Sequence, residues 1–131
     1  MDLDDSLDFY YLRSLGIVDQ NGARALGIFI NDKDLRAIFY GGLACPKYDA
    51  HNPEASRAEF KQHLTEYPML FRIIEWLGVG IRYEYEEVKR LRDECLKLHS
   101  LTTHPDVLKG LRKLELACDE ALPNRAGIFM A

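Results

Sequence analysis

The sequence lacks the patterns that usually accompany a bound cofactor or a catalytic centre. It holds no phosphate-binding P-loop, no dinucleotide fingerprint, no zinc-protease motif and no Ser-His-Asp order. The short stretch Gly78-Val79-Gly80 follows a predicted helix, whereas a glycine loop that cradles phosphate follows a strand. We therefore expect no cofactor and no enzymatic activity.

Cysteine is scarce, and its spacing excludes two common structural roles. The three cysteines are an odd number with no Cys-x-x-Cys pair, which argues against a disulfide framework and a structural zinc site. Cys95 and His99 lie four residues apart, with His104 and Cys118 nearby, a spacing that suits metal ligands. In an antiparallel helical hairpin, however, Cys118 would lie roughly 10 Å too far along its helix. We expect buried free thiols and no metal.

Long apolar runs and a basic leader are also missing. The longest apolar candidate, residues 68–81, is interrupted by Arg72 and Glu75, so it is not a membrane span. The chain starts with the acidic residues Asp2, Asp4 and Asp5, unlike the basic start of a signal peptide. These features predict a soluble protein of the reducing cytoplasm that does not enter a membrane.

An excess of positive charge is absent too. The net charge is −4, and the four aspartates of residues 1–8 account for all of it. Nucleic-acid binding needs a surplus of lysine and arginine to displace counterions from phosphate. We therefore expect no direct contact with nucleic acid.

The 131 residues that are present have the composition of one ordinary globular domain, residues 1–131. Helical spacing of apolar residues predicts helices over 3–15, ending at Gly16, and over 52–66, 68–77, 85–99 and 103–122, with a shorter helix after Asn31. Asn21-Gly22 between apolar runs predicts a hairpin near residues 17–30. The fold class is thus mainly α, a compact bundle of about five to six helices with a small β-hairpin; an α+β arrangement stays open, as does homo-oligomerisation.

The helix over 68–77 is predicted to be the centre of the core. Its apolar residues cover nearly the whole circumference, which is typical of a helix buried on all sides. Phe71, Ile74 and Trp76 are the expected core residues. The tail, with Ile128 to Met130, is expected to dock on the body.

The segment 83–87, Tyr-Glu-Tyr-Glu-Glu, allows two interpretations. The glutamates could simply lie in the first turn of a helix, where the helix dipole favours them, or the segment could be a third strand. Exposed tyrosines with carboxylates could instead form a patch that binds a basic protein. The residues predicted to bind a partner are Asp2, Asp4, Asp5, Asp8, Tyr83, Glu84, Tyr85, Glu86 and Glu87.

An alternative function rests on Cys45, which follows Gly41-Gly42 and precedes His51 in an irregular stretch. A thiolate nucleophile needs a base within reach, usually a histidine, and a third group to orient that base. Asp49 or Glu54 could supply the third group. This pattern would indicate a small enzyme or ligand-binding domain.

The function that composition favours is protein binding without catalysis. A small acidic inhibitor, of the toxin-immunity or anti-defence kind, blocks a basic, nucleic-acid-handling protein by offering carboxylates and aromatic rings where phosphate and bases would bind. The alternative is the enzyme or ligand-binding domain with Cys45 and His51. A third hypothesis is a helical transcriptional regulator, which the charge balance opposes.

Overall fold

A four-stranded antiparallel sheet lies at the centre of the fold in the computed structural model, which describes residues 12–49, 51–76 and 80–131. Its strands lie side by side in the order β2-β1-β4-β3. The first two strands form a hairpin, and the last strand of the chain inserts between β1 and β3. The strands are β1 (Leu12–Asp19), β2 (Gly22–Asn31), β3 (Ile81–Tyr83) and β4 (Gly127–Met130).

The predicted hairpin is confirmed and is longer than residues 17–30. Asp19 pairs with Gly22 across the turn, and the Asn21 backbone N–H donates to the Asp19 carboxylate over 2.7 Å. Gly22 has a φ of 108°, a conformation that a residue with a Cβ rarely adopts. The Asn-Gly pair therefore favours this turn because glycine can adopt the positive φ that the turn requires, as the sequence predicts.

Five α-helices complete the described fold. The first continues directly into a wider π-helical turn, Ala37–Gly42, and the last continues into a short 3₁₀ turn, Leu122–Asn124. The helices are α1 (Asp32–Arg36), α2 (Pro53–His63), α3 (Pro68–Glu75), α4 (Tyr85–Leu101) and α5 (Pro105–Ala121).

The fold class is α+β, so the prediction of a mainly α bundle of five to six helices is wrong. The error lies in three short stretches. Leu12–Leu15 were assigned to a helix but belong to β1, 81–83 became a strand, and the tail became β4. Strands of three or four residues carry too little alternation to be separated from loop by periodicity alone. The tail does dock on the body, as predicted, but by strand pairing. The single domain remains a prediction.

Gly16 shows why the end of the predicted N-terminal helix, residues 12–15, was misassigned. Residues 1–11, where most of that predicted helix falls, lie outside the described residues. Gly16 sits inside β1 and not at a helix end, with the ring of Phe129 resting where its Cβ would be. A glycine within a strand often marks such a close approach.

The core lies between one face of the sheet and the helices. Helices α4 and α5 form the predicted antiparallel hairpin and pack against this inner face. Its buried side chains alternate along each strand with residues that point to the other side. The inner face consists of Leu15, Ile17, Ile30, Ile81, Tyr83, Ile128 and Met130.

The N-termini of the helices follow from local capping chemistry. Asn31 caps α1 through a reciprocal pair of bonds with Asp34, as predicted. Pro53 and Pro68 occupy first turns, where no N–H is needed. His104 caps α5 by accepting from the Asp106 backbone N–H.

None of the helices in the described parts of the chain is long and apolar enough to cross a membrane.

Candidate partner-binding surface

Tyr83, predicted to contact a partner, is part of the core. Its exposed fraction is 0%, and its hydroxyl donates to the Met69 carbonyl over 2.7 Å. The alternation in β3 explains this, because Ile81 and Tyr83 face the helices while Arg82 between them faces outward. The third-strand interpretation therefore holds for Tyr83 alone, since the rest of the segment forms the start of a helix. Tyr83 is not available as an anchor for another protein.

The glutamates that follow Tyr83 form the start of α4. Glu84 and Glu87 make a reciprocal capping box, in which the Glu84 backbone N–H donates to the Glu87 carboxylate over 2.9 Å. Glu84 and Glu86 are exposed, while Tyr85 and Glu87 are half-buried. The ammonium group of Lys89 lies 4.5 Å from the centre of the Tyr85 ring.

Each of the three glutamates already has a basic neighbour. Glu84 pairs with Arg82 and Glu86 with Lys89, both over 3.2 Å, and Glu87 pairs with Arg72. The Arg72 hydrogen bond lowers the pKa of Glu87 to about 2. The charge of this segment is therefore largely compensated within the chain. On the surface of this segment, the glutamates therefore act as hydrogen-bonding groups and add little net negative charge.

Trp76 lies at the surface, so its prediction as a core residue is wrong. Helix α3 ends at Glu75, and Trp76 caps it with 48% of its surface exposed. Phe71 and Ile74, the two other expected core residues, are buried. Trp76 lines a cleft of about 410 Å³ beside β3, together with Arg72, Glu75, Gly80, Ile81 and Arg82.

Arg82 connects this cleft to the outer side of the sheet. It pairs with Phe129 across β3 and β4, and Phe129 pairs with Gly16 of β1, so the Phe129 ring covers Gly16 on that side. Gly16 in turn pairs with Ala25, and Phe29 lies further along β2. Residues paired in this way share one face of a sheet.

The described helices leave this face uncovered. Phe29 is 51% exposed, Ala25 is exposed and Phe129 is half-buried, while α4 and α5 pack on the opposite face. Soluble proteins seldom expose joined apolar surface without a use for it. We call the surface formed by Trp76, Arg82, Phe129, Ala25 and Phe29 the outer face.

Sequence reasoning missed every residue of the outer face. The available signal was the alternation in β2, where Ile28 and Ile30 are separated by Phe29. Strict alternation of buried and exposed residues makes Phe29 an outward residue as soon as Ile30 is assigned to the core. The predicted partner-binding residues Asp2, Asp4, Asp5 and Asp8 lie outside the described residues.

Cys45 and His51, the residues of the enzyme hypothesis, lie in different surroundings. Burial raises the pKa of the Cys45 thiol to about 12, which opposes the thiolate that nucleophilic attack requires. His51 is exposed, and its backbone N–H donates to the Asp49 carboxylate over 2.9 Å. His63, the other histidine nearby, contacts the Leu43 carbonyl over 2.6 Å. The raised pKa of Cys45 weighs against the enzyme hypothesis, which stays a prediction.

The two cysteines of the helical hairpin, Cys95 and Cys118, are buried and form no disulfide. Burial raises the pKa of Cys95 well above its usual range and that of Cys118 to about 12. His99, four residues after Cys95, points to another partner, since its Nδ1 lies 3.0 Å from the Glu115 carboxylate. Within the described ranges, no group of three or more histidine, cysteine or acidic residues could hold a metal ion.

Comparisons with protein-family models, with curated proteins and with solved structures each found no match to this chain.

Proposed function

We propose that the protein binds another protein and performs no catalysis, with the outer face as its docking surface. The observation that carries this proposal is the half-exposed Trp76, joined through Arg82 to an open, largely apolar sheet face. Tryptophan, arginine and aromatic residues are the types most enriched at the centres of protein interfaces.

The arrangement of the outer face suits a protein partner better than a small molecule. Phe29 and Trp76 lie at opposite ends of the surface, because β2 is one edge of the sheet and β3, beside Trp76, is the other. Four strands at roughly 4.8 Å spacing separate the two edges by about 14 Å. A ligand that contacts both rings at once must span that distance, and a folded partner does so readily.

The polar groups around this surface can fix the orientation of the partner. Arg82 and Glu84 form an exposed pair, with 59% and 69% of their side chains accessible, beside the Trp76 cleft. Such rim charges act mainly on encounter rate and register, while buried aromatic anchors set the lifetime of the complex. Glu75, which also lines the cleft, adds a second carboxylate.

The class of partner we propose is a basic protein. The net charge of −4 arises entirely from Asp2, Asp4, Asp5 and Asp8. Opposite charge on a partner would accelerate association through long-range attraction. This extends the proposal to a cytoplasmic inhibitor that covers a basic, nucleic-acid-handling protein, in the manner of an immunity or anti-defence protein.

Site-specific photo-crosslinking in the native cells tests the proposal. The photoreactive amino acid p-benzoylphenylalanine would replace Phe29 or Trp76, and in the control it would replace Leu96, which is 38% exposed on α4. Both outer-face positions should yield the same discrete adduct, absent at position 96, and mass spectrometry should identify a basic protein. Identical adducts at all three positions, or no adduct at 29 and 76, would contradict the proposal.

A further inference from the structure

A second cavity lies at the far end of the helical hairpin from Trp76. Helix α4 starts beside β3 and ends at Leu101, where the turn to α5 begins, so the start of α5 is one helix length away from the outer-face cleft. Seventeen residues of α-helix span about 25 Å. The cavity is therefore separate from the proposed partner-binding surface.

The cavity has the size and the apolar floor of a ligand site. Its volume is about 490 Å³, within the roughly 300–1,000 Å³ of small-molecule pockets. Ala37 and Gly41, from the π-helical turn, line it together with the fully buried Val107 of α5. A Cβ on Gly41 would approach the Val107 Cγ2 to 3.3 Å, so glycine keeps this wall open.

The widened turn itself is unusual. The Leu43 backbone N–H donates over 2.8 Å to the carbonyl of Ile38, five residues earlier. In an α-helix the acceptor would be the carbonyl of the residue four positions earlier. π-Helical turns are rare and are frequently found at functional sites. Here the turn forms one wall of the cavity.

The rim of the cavity carries two basic residues, Lys33 and Arg36, and the imidazole of His104, against one acidic residue, Asp106. The Arg36 guanidinium forms a salt bridge of 2.9 Å with the Asp32 carboxylate, and the Arg36 side chain is only 15% exposed. The Nδ1 atom of His104 accepts from the Asp106 backbone N–H, so the neutral ring carries its proton on Nε2 as a further donor.

We propose that this cavity binds a small molecule with an apolar body and one anionic group. The body would rest on Ala37, Gly41 and Val107, and the anion would face Lys33, Arg36 and the Nε2–H of His104. A lysine, a guanidinium and an imidazole donor are the groups that bind carboxylate, sulfonate or phosphate oxygens in proteins. The site is independent of the partner-binding proposal.

Two fluorescent probes of the same shape test the site. The first, 8-anilino-1-naphthalenesulfonate, carries an anion on an apolar body, and N-phenyl-1-naphthylamine is its uncharged analogue. The anionic probe should bind one to one and saturate. Lys33→Gln should weaken it at least threefold and leave the uncharged probe unaffected, while Lys61→Gln, at an exposed position of α2, should change neither.

Filling the cavity gives the complementary result. Ala37→Leu should weaken the binding of both probes at least tenfold. In the unsubstituted protein, the amide NMR shifts caused by probe binding should centre on Gly41 and Val107. If Ala37→Leu does not fold, Lys33→Gln carries the test alone. Equal binding to Lys33→Gln and to the unsubstituted protein would overturn the inference, and so would shifts centred on Phe29 and Trp76. Shifts centred on Phe29 and Trp76 would show that the probe binds the outer face and not the cavity.

Discussion

The carboxylate of Glu94, on α4, caps the start of α3 at Met69. Both of its oxygens lie 3.0 Å from the Met69 backbone nitrogen, and one lies 3.0 Å from that of Leu70. The residue before α3, Tyr67, makes no side-chain cap of its own. A side chain distant in sequence thus satisfies N–H groups that a helix start leaves without partners. Because Trp76 directly follows α3, this contact also anchors the element that presents the proposed binding surface.

Glu94→Ala should destabilise the protein by about 2 kcal/mol, the usual scale for losing hydrogen bonds to a charged group. Glu94→Gln keeps one acceptor oxygen and should cost less. Urea unfolding at pH 7 measures both, with Asp93→Ala, at the exposed neighbouring position, as the control. Equal stability of the Glu94→Ala and Asp93→Ala variants would show that the cap contributes nothing.

The same carboxylate should give a pH dependence of defined sign. Burial raises the pKa of Glu94 above its usual 4.5. Below 4.5 the group is protonated in both states, and as the pH rises the unfolded state loses the proton first, which favours unfolding. The free energy of unfolding of Glu94→Gln, relative to the unsubstituted protein, should therefore increase from pH 4 towards neutrality. A constant difference would contradict this account of Glu94.

Glu87 should behave in the opposite way. Its pairing with Arg72 lowers its pKa from 4.5 to about 2, so its contribution is present above 4.5 and is lost as the pH falls towards 2. Because the pair is partly solvated, we expect about 1 kcal/mol. Glu87→Gln should lose this amount at pH 6 and little at pH 2.5, as measured by urea unfolding. Glu86→Gln, at the exposed neighbour, should lose little at either pH.

Trp76→Ala should cost much less stability than a substitution in the core. Ile74 is 1% exposed, and truncating a buried isoleucine to alanine typically costs about 2–5 kcal/mol. Trp76 is half-exposed, so we expect roughly 1 kcal/mol or less. Thermal melts of Trp76→Ala and Ile74→Ala compare the two, and a larger loss for Trp76→Ala would return this residue to the core.

Cys45 should react slowly with alkylating reagents in the folded protein. Burial raises its pKa from 9.0 to about 12, which lowers the thiolate fraction at pH 8 by about a thousandfold. Cys95 and Cys118 should also react slowly, and all three should react fast in denaturant. Fast labelling of Cys45 under native conditions would revive the catalytic hypothesis for it.

The sequence predicted those elements whose signal is local. The Asn21-Gly22 turn and the starts of α1, α2 and α3 are decided within a few residues, and each was found where expected. The stripes of α4 and α5 repeat over four turns, long enough for helical periodicity to be unambiguous.

The missing parts depend on contacts between distant residues. Strand β4 has four residues and exists because β1 and β3 lie on both sides of it, more than forty residues earlier in the chain. The position of Phe129 over Gly16 and the burial of Tyr83 follow from that pairing. No pattern within residues 127–130 contains this information, so the part of the outer face formed by Phe129 and Arg82 could not be predicted.

The most direct test of the partner-binding account uses the single tryptophan of the chain, Trp76. Protein labelled with 5-fluorotryptophan gives one ¹⁹F resonance, which reports on the outer face alone and is not obscured by tryptophans of the partner. Titration with the protein captured at positions 29 and 76 should shift this resonance to a saturating end point and protect it from solvent-induced isotope shifts. An unchanged resonance at saturating partner would place binding elsewhere and contradict the central claim.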